Sequence, residues 1–495
     1  MVVAHCRAVL HGHSVFAGGG KVGICGVVLI EVKAGAPCVR FYGAMRKELL
    51  SLARAEVPRY TSYPTAAQFH DGVDEAVYRQ WLGELTSEQS LSLYLHVPFC
   101  RQLCWYCGCH TVVVNDDAPV RRYADLMQRE ALLVREAIGD AGRVRHIHFG
   151  GGSPGLFGPE DFSSTMAHLR GLFDLDADAE IAVELDPRAM NDEAVANYAA
   201  CGVNRVSFGV QEFAGHVQKL INRVQSFETV RGAVNAVRAA GIERLSFDLM
   251  YGLPGQRVAD VFASATMTSD LRPERVALFG YAHVPWFKSN QKLIRDEDLP
   301  SSAERIEQAQ TAAEVLCERG YVRIGLDHFA LKDDTLAGAV GAGLRRNFQG
   351  YTEDPADVLL GFGASAIGNL PGGYAQTDKN IRSYLDAVDA RRLPVVKGLV
   401  LSSEDRLRAA AIERLMCDLS LEAGALCEEM GFAIDSLDAS LAATSIFEDL
   451  GIATRSGRDL RICEEGRPFV RSIAACFDAY FVPSTQEEPR HSKAV

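Results

Sequence analysis

The sequence predicts an α/β protein with a parallel central sheet. Short β-branched runs alternate with longer helical patterns between residues 91 and 282, and the unusual residues of the chain fall just after those runs. Each helix returns the chain to the same edge of the sheet, so consecutive strands run parallel. An open sheet and a barrel both satisfy this pattern. In both, functional residues collect at the carboxyl ends of the strands.

The predicted strands are rich in β-branched and aromatic residues and end at turn signals. They are Leu91–Pro98, Val144–Phe149, Ala179–Asp186, Arg205–Gln211, Arg244–Gly252 and Arg275–Ala282. Between them, Pro159 marks the start of one helix, and Asn191 and Gly202 mark the start and the end of another. After the last strand, a capping box formed by Ser301 and Glu304 opens a long helix.

The composition limits the classes of function. The chain has 495 residues, so we expect at least two domains, because a single core stops growing near ~250–300 residues. The net charge of -13 argues against a general nucleic-acid binder, and an anionic ligand must therefore meet a local basic pocket. The 13 scattered cysteines indicate reduced thiols in a cytosol, so we expect a cytoplasmic protein. No membrane span is expected, because the apolar run Val22–Val32 is too short and contains Glu31.

The pattern changes along the chain and predicts five segments. Residues 1–44 lack clear periodicity, so we expect a non-native or disordered extension and a true start at Met45. Beyond about residue 372 the pattern is mostly helical and closes with a small hairpin around Ser456-Gly457, which suits a helical lid better than a DNA-binding winged helix. The predicted segments are 1–44 for the extension, 45–90 for a segment that packs on the barrel, 91–371 for the strand–helix domain, 372–483 for the helical domain and 484–495 for a disordered tail.

Four cysteines lie within ten positions in the stretch FCRQLCWYCGCH, which runs from Phe99 to His110. Unrelated reduced cysteines would seldom crowd so closely. A structural zinc site needs four ligands, normally in two separated pairs, and His110 would add a fifth candidate here. Thiolates in one compact loop suit an iron–sulfur cluster, which this spacing favours while leaving zinc open.

The spacing C-x3-C-x2-C after the first strand resembles the radical S-adenosylmethionine (SAM) superfamily. In that superfamily three cysteines hold a [4Fe–4S] cluster, and SAM binds the iron that they leave free. Longer motifs follow in order, among them GGGSP, ELDPR, GVQEF, DLMYGLPGQ, RNFQGYT and ACFDAYF. From Pro58 to Phe481 these motifs resemble the oxygen-independent coproporphyrinogen III oxidases. A related branch of haem chaperones usually has an aromatic residue at the position of Cys109.

This resemblance implies a partial (β/α)6 barrel with a mostly helical C-terminal domain. The cluster ligands that it implies are Cys100, Cys104 and Cys107. It implies that Cys109 is not a ligand, and it places Cys109, Tyr94 and Glu184 in catalysis. The residues that it implies for cofactor binding are Tyr94, Tyr106, Gly151, Gly152, Ser153, Glu184, Gln211, Arg223, Asp248, Ala282 and Ile367.

The family's reaction is the oxidative decarboxylation of two propionates of coproporphyrinogen III to vinyl groups, which gives protoporphyrinogen IX for haem biosynthesis. By the resemblance, a 5′-deoxyadenosyl radical derived from SAM removes a hydrogen atom from each propionate. We therefore expect an oxidoreductase that uses one [4Fe–4S] cluster and two SAM molecules. The partners expected are coproporphyrinogen III and an electron donor of unknown identity, with no nucleic acid, and the chain is expected to be a monomer.

Two alternatives remain open at this point. One is a haem chaperone with the same fold and cluster but without oxidase activity. The other is a zinc-stabilised winged-helix regulator. Arg345 and Arg346 are candidate partners for substrate propionates, since guanidinium groups match carboxylates in shape and charge, although a solvated pair explains them equally well.

Overall fold

The computed structural model describes residues 47–138 and 141–482. The expectations for residues 1–44, for a start at Met45 and for residues 484–495 lie outside the described residues. Ahead of the sheet come helices α1 (Lys47–Arg54) and α2 (Glu75–Gly83). The side chain of Asp74 caps α2 by accepting hydrogen bonds from two backbone amides.

The strand–helix repeats form in the predicted order. In chain order these elements are β1 (Leu91–Val97), β2 (Phe99–Cys100), β3 (Val112–Val113), α3 (Ala118–Ile138), β4 (Val144–Gly151), α4 (Pro159–Leu172), β5 (Leu175–Leu185), α5 (Asp192–Ala200), β6 (Arg205–Gln211), α6 (Gly215–Leu220), α7 (Phe227–Ala239), β7 (Arg244–Tyr251), α8 (Val258–Leu271), β8 (Arg275–Gly280) and α9 (Ser302–Glu318). Pro159 opens α4, Asn191 caps α5, and the capping box at Ser301 opens α9, as predicted.

The chain continues with shorter elements that the sequence analysis did not separate. These are β9 (Tyr321–Ile324), β10 (His328–Leu331), α10 (Thr335–Ala339), β11 (Arg345–Asn347), β12 (Gly350–Thr352), β13 (Val358–Phe362), β14 (Ile367–Leu370), β15 (Gly373–Thr377), α11 (Ile381–Asp389) and β16 (Val395–Val400). Strands β14 and β15 form an antiparallel hairpin. The predicted boundary between residues 371 and 372 falls in its turn, so one sheet continues across that boundary.

Seven strands run parallel at the centre of the main sheet, in the spatial order β13, β1, β4, β5, β6, β7 and β8. Antiparallel strands extend the sheet beyond both ends of this set, β10 and β9 beyond β8 and β14 to β16 beyond β13. The helices of the repeats pack against the sheet in one continuous apolar core. The predicted partial barrel is confirmed, and the carboxyl ends of its parallel strands lie at one edge.

Buried and half-buried residues alternate along β6 and β7, so one face of these strands packs more tightly than the other. All residues of β1 except Tyr94 are buried. Aromatic rings join β4 to the helices that follow it, since the rings of Phe149 and Phe162 lie 4.9 Å apart and those of Phe162 and Tyr198 also lie 4.9 Å apart. This packing gives the strand ends a rigid support.

The C-terminal part is mostly helical, as predicted. Its elements are α12 (Ser403–Asp418), β17 (Ser420–Glu422), α13 (Ala423–Glu429), α14 (Asp438–Ala443), α15 (Ser445–Asp449), β18 (Ala453–Ser456), β19 (Asp459–Ile462) and α16 (Val470–Ala474). The predicted hairpin is formed by β18 and β19, and β17 adds a third strand beside β19. Tyr60 and Tyr63 belong to the apolar core of this part, so the segment that precedes the barrel packs on both parts. Within the described ranges, no helix is long and apolar enough to cross a membrane.

A buried carboxyl group joins α3 to the segments on the far side of β13. Glu130 is 1% exposed. It accepts hydrogen bonds from the backbone N of Gly363 (2.8 Å) and from the hydroxyl of Tyr384 on α11 (2.7 Å). Burial raises the pKa of Glu130 to about 7 in spite of these hydrogen bonds. The folded protein therefore holds a proton at Glu130 up to about neutral pH.

We expect Glu130→Gln to remove a pH-dependent loss of stability. The carboxyl group ionises near pH 4.5 in the unfolded chain and near 7 in the folded one, so the stability that the proton supports is lost as pH rises through this window. The loss amounts to roughly 2–3 kcal/mol for one proton. Glutamine keeps an acceptor oxygen and does not titrate. Apparent free energies of unfolding of both proteins at about pH 5 and about pH 8 test this. An equal difference between the proteins at both pH values would contradict it.

Candidate active site

The cysteine stretch forms a loop at the carboxyl end of β1. It starts in β2, which pairs in parallel with β3 after the loop. The loop is attached to the segment that follows α6. There the backbone N of Trp105 donates to the carbonyl O of Ile221 (3.0 Å), and the side-chain amide of Asn222 donates to the carbonyl O of Leu103 (2.9 Å). The loop is therefore fixed on the side of β6.

The segment that follows β8 holds the same loop from the other side through the side chains of Asn290 and Gln291. The side-chain Nδ2 of Asn290 lies 3.3 Å, 3.0 Å and 3.0 Å from the carbonyl oxygens of Cys104, Trp105 and Cys107. The side chain of Gln291 donates to the intervening carbonyl of Tyr106 at 2.9 Å. These bonds hold four consecutive peptide groups, so they set the direction in which the thiols project.

The thiols of the loop influence one another. Burial raises the pKa of Cys100 to about 11, with further contributions from Cys107 and Cys104. A hydrogen bond from Cys109 lowers the pKa of Cys107 to about 6. Donating that bond raises the pKa of Cys109 well above its usual value, and the charge of Glu184 acts in the same direction. Cys109 thus adjoins the other thiols and also faces Glu184.

Glu184 lies near the end of β5 and has two partners within the protein. Its Oε1 lies 2.9 Å from Nε2 of His148, and its Oε2 accepts a hydrogen bond from the backbone N of Gly151 at 3.1 Å. Burial acts to raise the pKa of Glu184, but these hydrogen bonds outweigh it and lower the pKa. The side chain keeps 37% of its surface exposed. The carboxylate is therefore ionised, fixed in place and open on one side.

Tyr94 and His96 connect the cluster loop to Glu184. The hydroxyl of Tyr94 lies 3.0 Å from Nδ1 of His96, and Nε2 of His96 lies 3.1 Å from the carbonyl O of His110. Burial lowers the pKa of His96 to about 4, so its ring is neutral. The ring of Tyr94 lies 5.8 Å from that of His148, the partner of Glu184. This chain of rings forms one wall of the site.

The glycine turn after β4 touches the cluster loop. Gly151 has φ 108°, a conformation that other residues rarely adopt. A Cβ on Gly152 would lie 2.6 Å from the carbonyl O of Phe99, and the backbone N of Ser153 donates to that oxygen at 2.7 Å. The contact that requires glycine at position 152 is therefore with the protein's own backbone, and the role of Gly151 and Gly152 in cofactor binding stays a prediction.

A charged pair formed by Asp186 and Arg223 lies beside Cys104. Asp186 pairs with Arg188 (Nη2–Oδ2 2.6 Å) and with Arg223 (Nη1–Oδ2 3.3 Å), and Nη1 of Arg223 lies 3.7 Å from Sγ of Cys104. Burial acts to lower the pKa of Arg223, but the groups of Tyr106 and Asp186 raise it overall. Arg223 thus remains a cation next to a predicted cluster ligand.

The remaining predicted residues follow the same edge. Gln211 ends β6 with φ 67°, which is uncommon outside glycine and is typical of functional sites. Burial raises the pKa of Asp248 on β7 to about 7, and the charge of Glu184 adds to the shift. Ala282 comes two residues after the end of β8, and Ile367 opens β14 next to β13. The structure thus places every predicted site residue at or near the carboxyl edge of the parallel strands or on β14.

Comparison with known proteins identifies the family. Residues 94–266 match the Radical SAM superfamily. The oxygen-independent coproporphyrinogen III oxidase of Bradyrhizobium diazoefficiens is 46% identical to the chain over 453 residues, which cover 91% of this chain and 100% of the relative. The chain belongs to the family of oxygen-independent coproporphyrinogen III oxidases. The enzyme of that name from Paracoccus denitrificans is 42% identical and covers 88% of this chain and 96% of its own.

A solved member of the coproporphyrinogen III oxidase family has the same fold. The Escherichia coli coproporphyrinogen III oxidase, described as a radical SAM enzyme, superposes with a TM-score of 0.82 at 33% sequence identity. The superposition covers 86% of this chain and 100% of that one. Membership of this family favours the oxidase interpretation over the haem chaperone and excludes the zinc-stabilised regulator.

Radical SAM proteins use a [4Fe–4S] cluster and SAM, and the residues present fit both groups. Three thiols lie on one loop with fixed peptide groups, as a thiolate-bound cluster needs. Glu184 offers an ionised oxygen with open surface, and the site around it is lined by polar side chains. A cationic ligand with hydroxyl groups, such as SAM, matches that chemistry.

Sequence reasoning missed two supporting residues. Asn290 follows no strand directly and lies 186 positions from Cys104, so no local pattern connects it with the loop. His148 lies on β4 beside β5, and the pairing of Ala182 with His148 could have placed it near Glu184. Of the two arginines considered for propionates, Arg346 has a buried side chain, and its Nη1 lies 3.5 Å from Oδ1 of Asp327. The other, Arg345, is exposed.

We expect Asn290→Ala to weaken cluster binding while the fold is retained. The substitution removes the donor shared by three loop carbonyls, and at about 1 kcal/mol per hydrogen bond the loop loses roughly 1–3 kcal/mol of its fixed geometry. Asn290→Asp is the matched control, because a carboxylate has the same shape but cannot donate. Both variants should contain less iron and sulfide per chain after anaerobic reconstitution. Full cluster content in Asn290→Asp would show that donation is not needed.

Proposed function

We propose that this protein converts two propionate groups of coproporphyrinogen III to vinyl groups without oxygen, and so forms protoporphyrinogen IX. The proposal rests on one observation above all: the thiol loop, the ionised Glu184 and the exposed Cys109 meet at a single edge of the barrel. Membership of the coproporphyrinogen III oxidase family supports it.

Each conversion balances as the loss of a hydrogen atom, carbon dioxide and one electron. The hydrogen atom leaves the β-carbon of the propionate, the bond to the carboxylate carbon breaks, and the electron passes to a one-electron acceptor. When bound, the cluster and SAM supply the radical chemistry that removes the hydrogen atom. The protein's own residues bind and orient the reactants and keep water away from them.

Each site residue has a role in this proposal. Cys100, Cys104 and Cys107 hold the cluster, and the use of only three thiolates leaves one iron for SAM. Glu184 binds SAM through the open side of its carboxylate, while the hydrogen bonds from His148 and Gly151 hold that carboxylate in place. These contacts position the reactants before any chemistry begins.

Cys109 and Tyr94 are proposed to act on the substrate side of the site. Cys109 faces Glu184 and keeps its proton, because its pKa is raised by the hydrogen bond to Cys107. Tyr94 likewise keeps its proton, since burial raises its pKa well above the usual value. Both groups are neutral next to the position proposed for SAM, with the hydroxyl of Tyr94 donating to Nδ1 of His96 and the thiol of Cys109 donating to Cys107.

The site residues fall into two groups, which supports two SAM molecules. One group surrounds Glu184 on β1, β4 and β5, with Tyr94 and Gly151. The other surrounds Arg223, which pairs with Asp186 and lies beside Cys104, whereas Asp248 on β7 responds to the charge of Glu184 and then to that of Arg223 and so lies between the two groups. We propose one SAM molecule for each group.

The cluster ligands can be tested one at a time. We expect Cys100→Ala, Cys104→Ala and Cys107→Ala each to abolish the cluster, because each removes one of three thiolates. Cys109→Ala should keep the cluster absorbance and lose turnover. Iron and sulfide analysis with visible spectra measures this in all four variants. Loss of iron in Cys109→Ala equal to that in Cys107→Ala would contradict the assignment.

The reaction itself is tested with coproporphyrinogen III, SAM and a reductant under anaerobic conditions. We expect the wild type to release vinyl product and 5′-deoxyadenosine. Glu184→Ala should bind SAM about 10- to 100-fold more weakly, since a charged hydrogen bond is worth ~1.5–3 kcal/mol, and both products should fall together. Glu184→Gln keeps the shape of the side chain but not its charge. Its affinity for SAM and its yields of both products should lie between those of the wild type and those of Glu184→Ala.

Chromatography of both products distinguishes the outcomes. If the wild type splits SAM but never converts coproporphyrinogen III, the proposed function is wrong and the haem chaperone replaces it. If Glu184→Ala loses vinyl product but still releases 5′-deoxyadenosine at the wild-type rate, the role of Glu184 in binding SAM is wrong.

A further inference from the structure

Arg223 brings a guanidinium group into contact with the thiol loop. Its Nη1 lies 3.7 Å from Sγ of Cys104, within reach of a hydrogen bond to sulfur. Arg223 is 7% exposed and Cys104 is 8% exposed, so the contact is shielded from bulk water. A charge and a hydrogen bond act more strongly on their neighbours in such surroundings than at the surface.

Side-chain and backbone contacts hold the guanidinium group of Arg223 in place. Its Nη1 lies 3.3 Å from Oδ2 of Asp186, and its Nη2 donates to the carbonyl O of Gly209 on β6. Asp186 is fixed in turn by Arg188, whose Nε and Nη2 bond to the two carboxylate oxygens at 2.9 Å and 2.6 Å. The guanidinium group therefore has little freedom to turn away from the sulfur of Cys104.

The backbone that carries Arg223 is attached to the thiol loop by the preceding residue. The side-chain Nδ2 of Asn222 donates to the carbonyl O of Leu103 at 2.9 Å, and its Oδ1 accepts a hydrogen bond from the side-chain amide of Gln102 at 3.0 Å. Asn222 has φ 54°, a left-handed conformation that is uncommon outside glycine. Asn222 thus meets Leu103 and Arg223 meets Cys104, so the fold itself places the cation beside this thiol.

One donor of Arg223 is not used by the protein. Its Nε is buried and has no hydrogen-bond partner in the part of the chain that the structure describes. A buried N–H group without an acceptor is costly, and each side-chain nitrogen of arginine is a donor. A cluster bound by Cys104 would bring sulfur acceptors to this region.

We propose that Arg223 donates a hydrogen bond to the cluster ligand Cys104 and so raises the reduction potential of the cluster. This inference rests on the proposed function, because that function makes Cys104 a cluster ligand and requires the cluster to accept one electron from a donor. The cluster and its three thiolates gain one negative charge on reduction, so a nearby cation stabilises the reduced form more than the oxidised form. Hydrogen bonds to the ligand sulfurs act in the same direction.

This role differs from the predicted contact of Arg223 with SAM, because it exists before SAM binds. The potential of the cluster governs how readily an external donor can reduce it. Arg223 would therefore assist the entry of the electron, whichever residues hold SAM afterwards.

The reduction potential of the reconstituted cluster, measured without SAM, tests the proposal. An anaerobic redox titration followed by the electron paramagnetic resonance signal of the reduced cluster gives this potential. We expect Arg223→Gln to make one-electron reduction about 10-fold less favourable, a shift of ~59 mV toward more negative potentials. Arg223→Lys keeps the charge but not the planar group, so its potential should lie between those of the wild type and of Arg223→Gln.

Arg275→Gln is the matched control. Arg275 is also a buried arginine paired with a carboxylate, since its Nε lies 2.8 Å from Oδ1 of Asp334. It begins β8 and therefore lies at the amino end of the parallel strands, opposite the thiol loop. Arg275→Gln should keep the wild-type potential. Iron and sulfide analysis confirms that the compared variants hold the same cluster.

A second measurement reports the contact itself. Wild-type protein made with arginine labelled by ¹⁵N in its guanidinium group should show hyperfine coupling between this nitrogen and the reduced cluster, again without SAM. The coupling should be lost in Arg223→Gln. Arg223→Lys also lacks the labelled group at this position, so it serves the same purpose if Arg223→Gln binds too little cluster.

Several results would overturn the proposal. They are an unchanged potential in Arg223→Gln and Arg223→Lys, an equal shift in Arg275→Gln, and a wild type without the ¹⁵N coupling. A shift that appears only when SAM is added would also overturn it, because Arg223 would then act through SAM alone. Failure of the proposed function would appear separately, as a wild type with the expected potential and coupling that never converts coproporphyrinogen III.

Discussion

The parallel pairing of β1 with β4 is the constraint on which the whole site depends. It places the loop after β1 directly beside the turn after β4, and two backbone hydrogen bonds join them, from Gly152 N to Val97 O (2.8 Å) and from Ser153 N to Phe99 O (2.7 Å). The same register continues to β5, so the turn, the thiol loop and Glu184 meet at one edge. If this register slipped by a residue, every side chain in β4 would change faces and Glu184 would lose His148.

Electrostatics then divides this edge into regions of different charge. Near β4 and β5, Glu184 is ionised because His148 and Gly151 stabilise its charge. Near β7, burial raises the pKa of Asp248 to about 7, and the negative charge of Glu184 adds to this shift.

The sequence predicts the local features well and the long-range ones poorly. The strands, the helix caps at Asn191 and Ser301, and the thiol loop follow from short patterns, because the residues that form each feature are neighbours in the chain. Asn290 could not be predicted, since its partners lie more than 180 positions away and a single Asn that follows no strand has no specific signature. Strand β13 was also missed, because its five residues pair with β1 only after the intervening barrel has formed.

The need for glycine at position 152 also arises from tertiary structure, because it comes from a contact with the backbone of Phe99. The sequence shows three consecutive glycines but not that one of them faces the backbone of Phe99. Sequence patterns therefore identify the chemistry of this site more readily than the contacts that support it.

The central claim is that three thiolates hold the cluster and leave one iron for SAM. The most direct measurement is pulsed electron paramagnetic resonance of the reduced, reconstituted protein with SAM labelled by ¹⁵N at its amino group. We expect hyperfine coupling between the cluster and this nitrogen, in the wild type and equally in Cys109→Ala. Absence of the coupling in the wild type, or its appearance only when Cys109 is replaced, would contradict the claim, because Cys109 would then occupy the fourth iron.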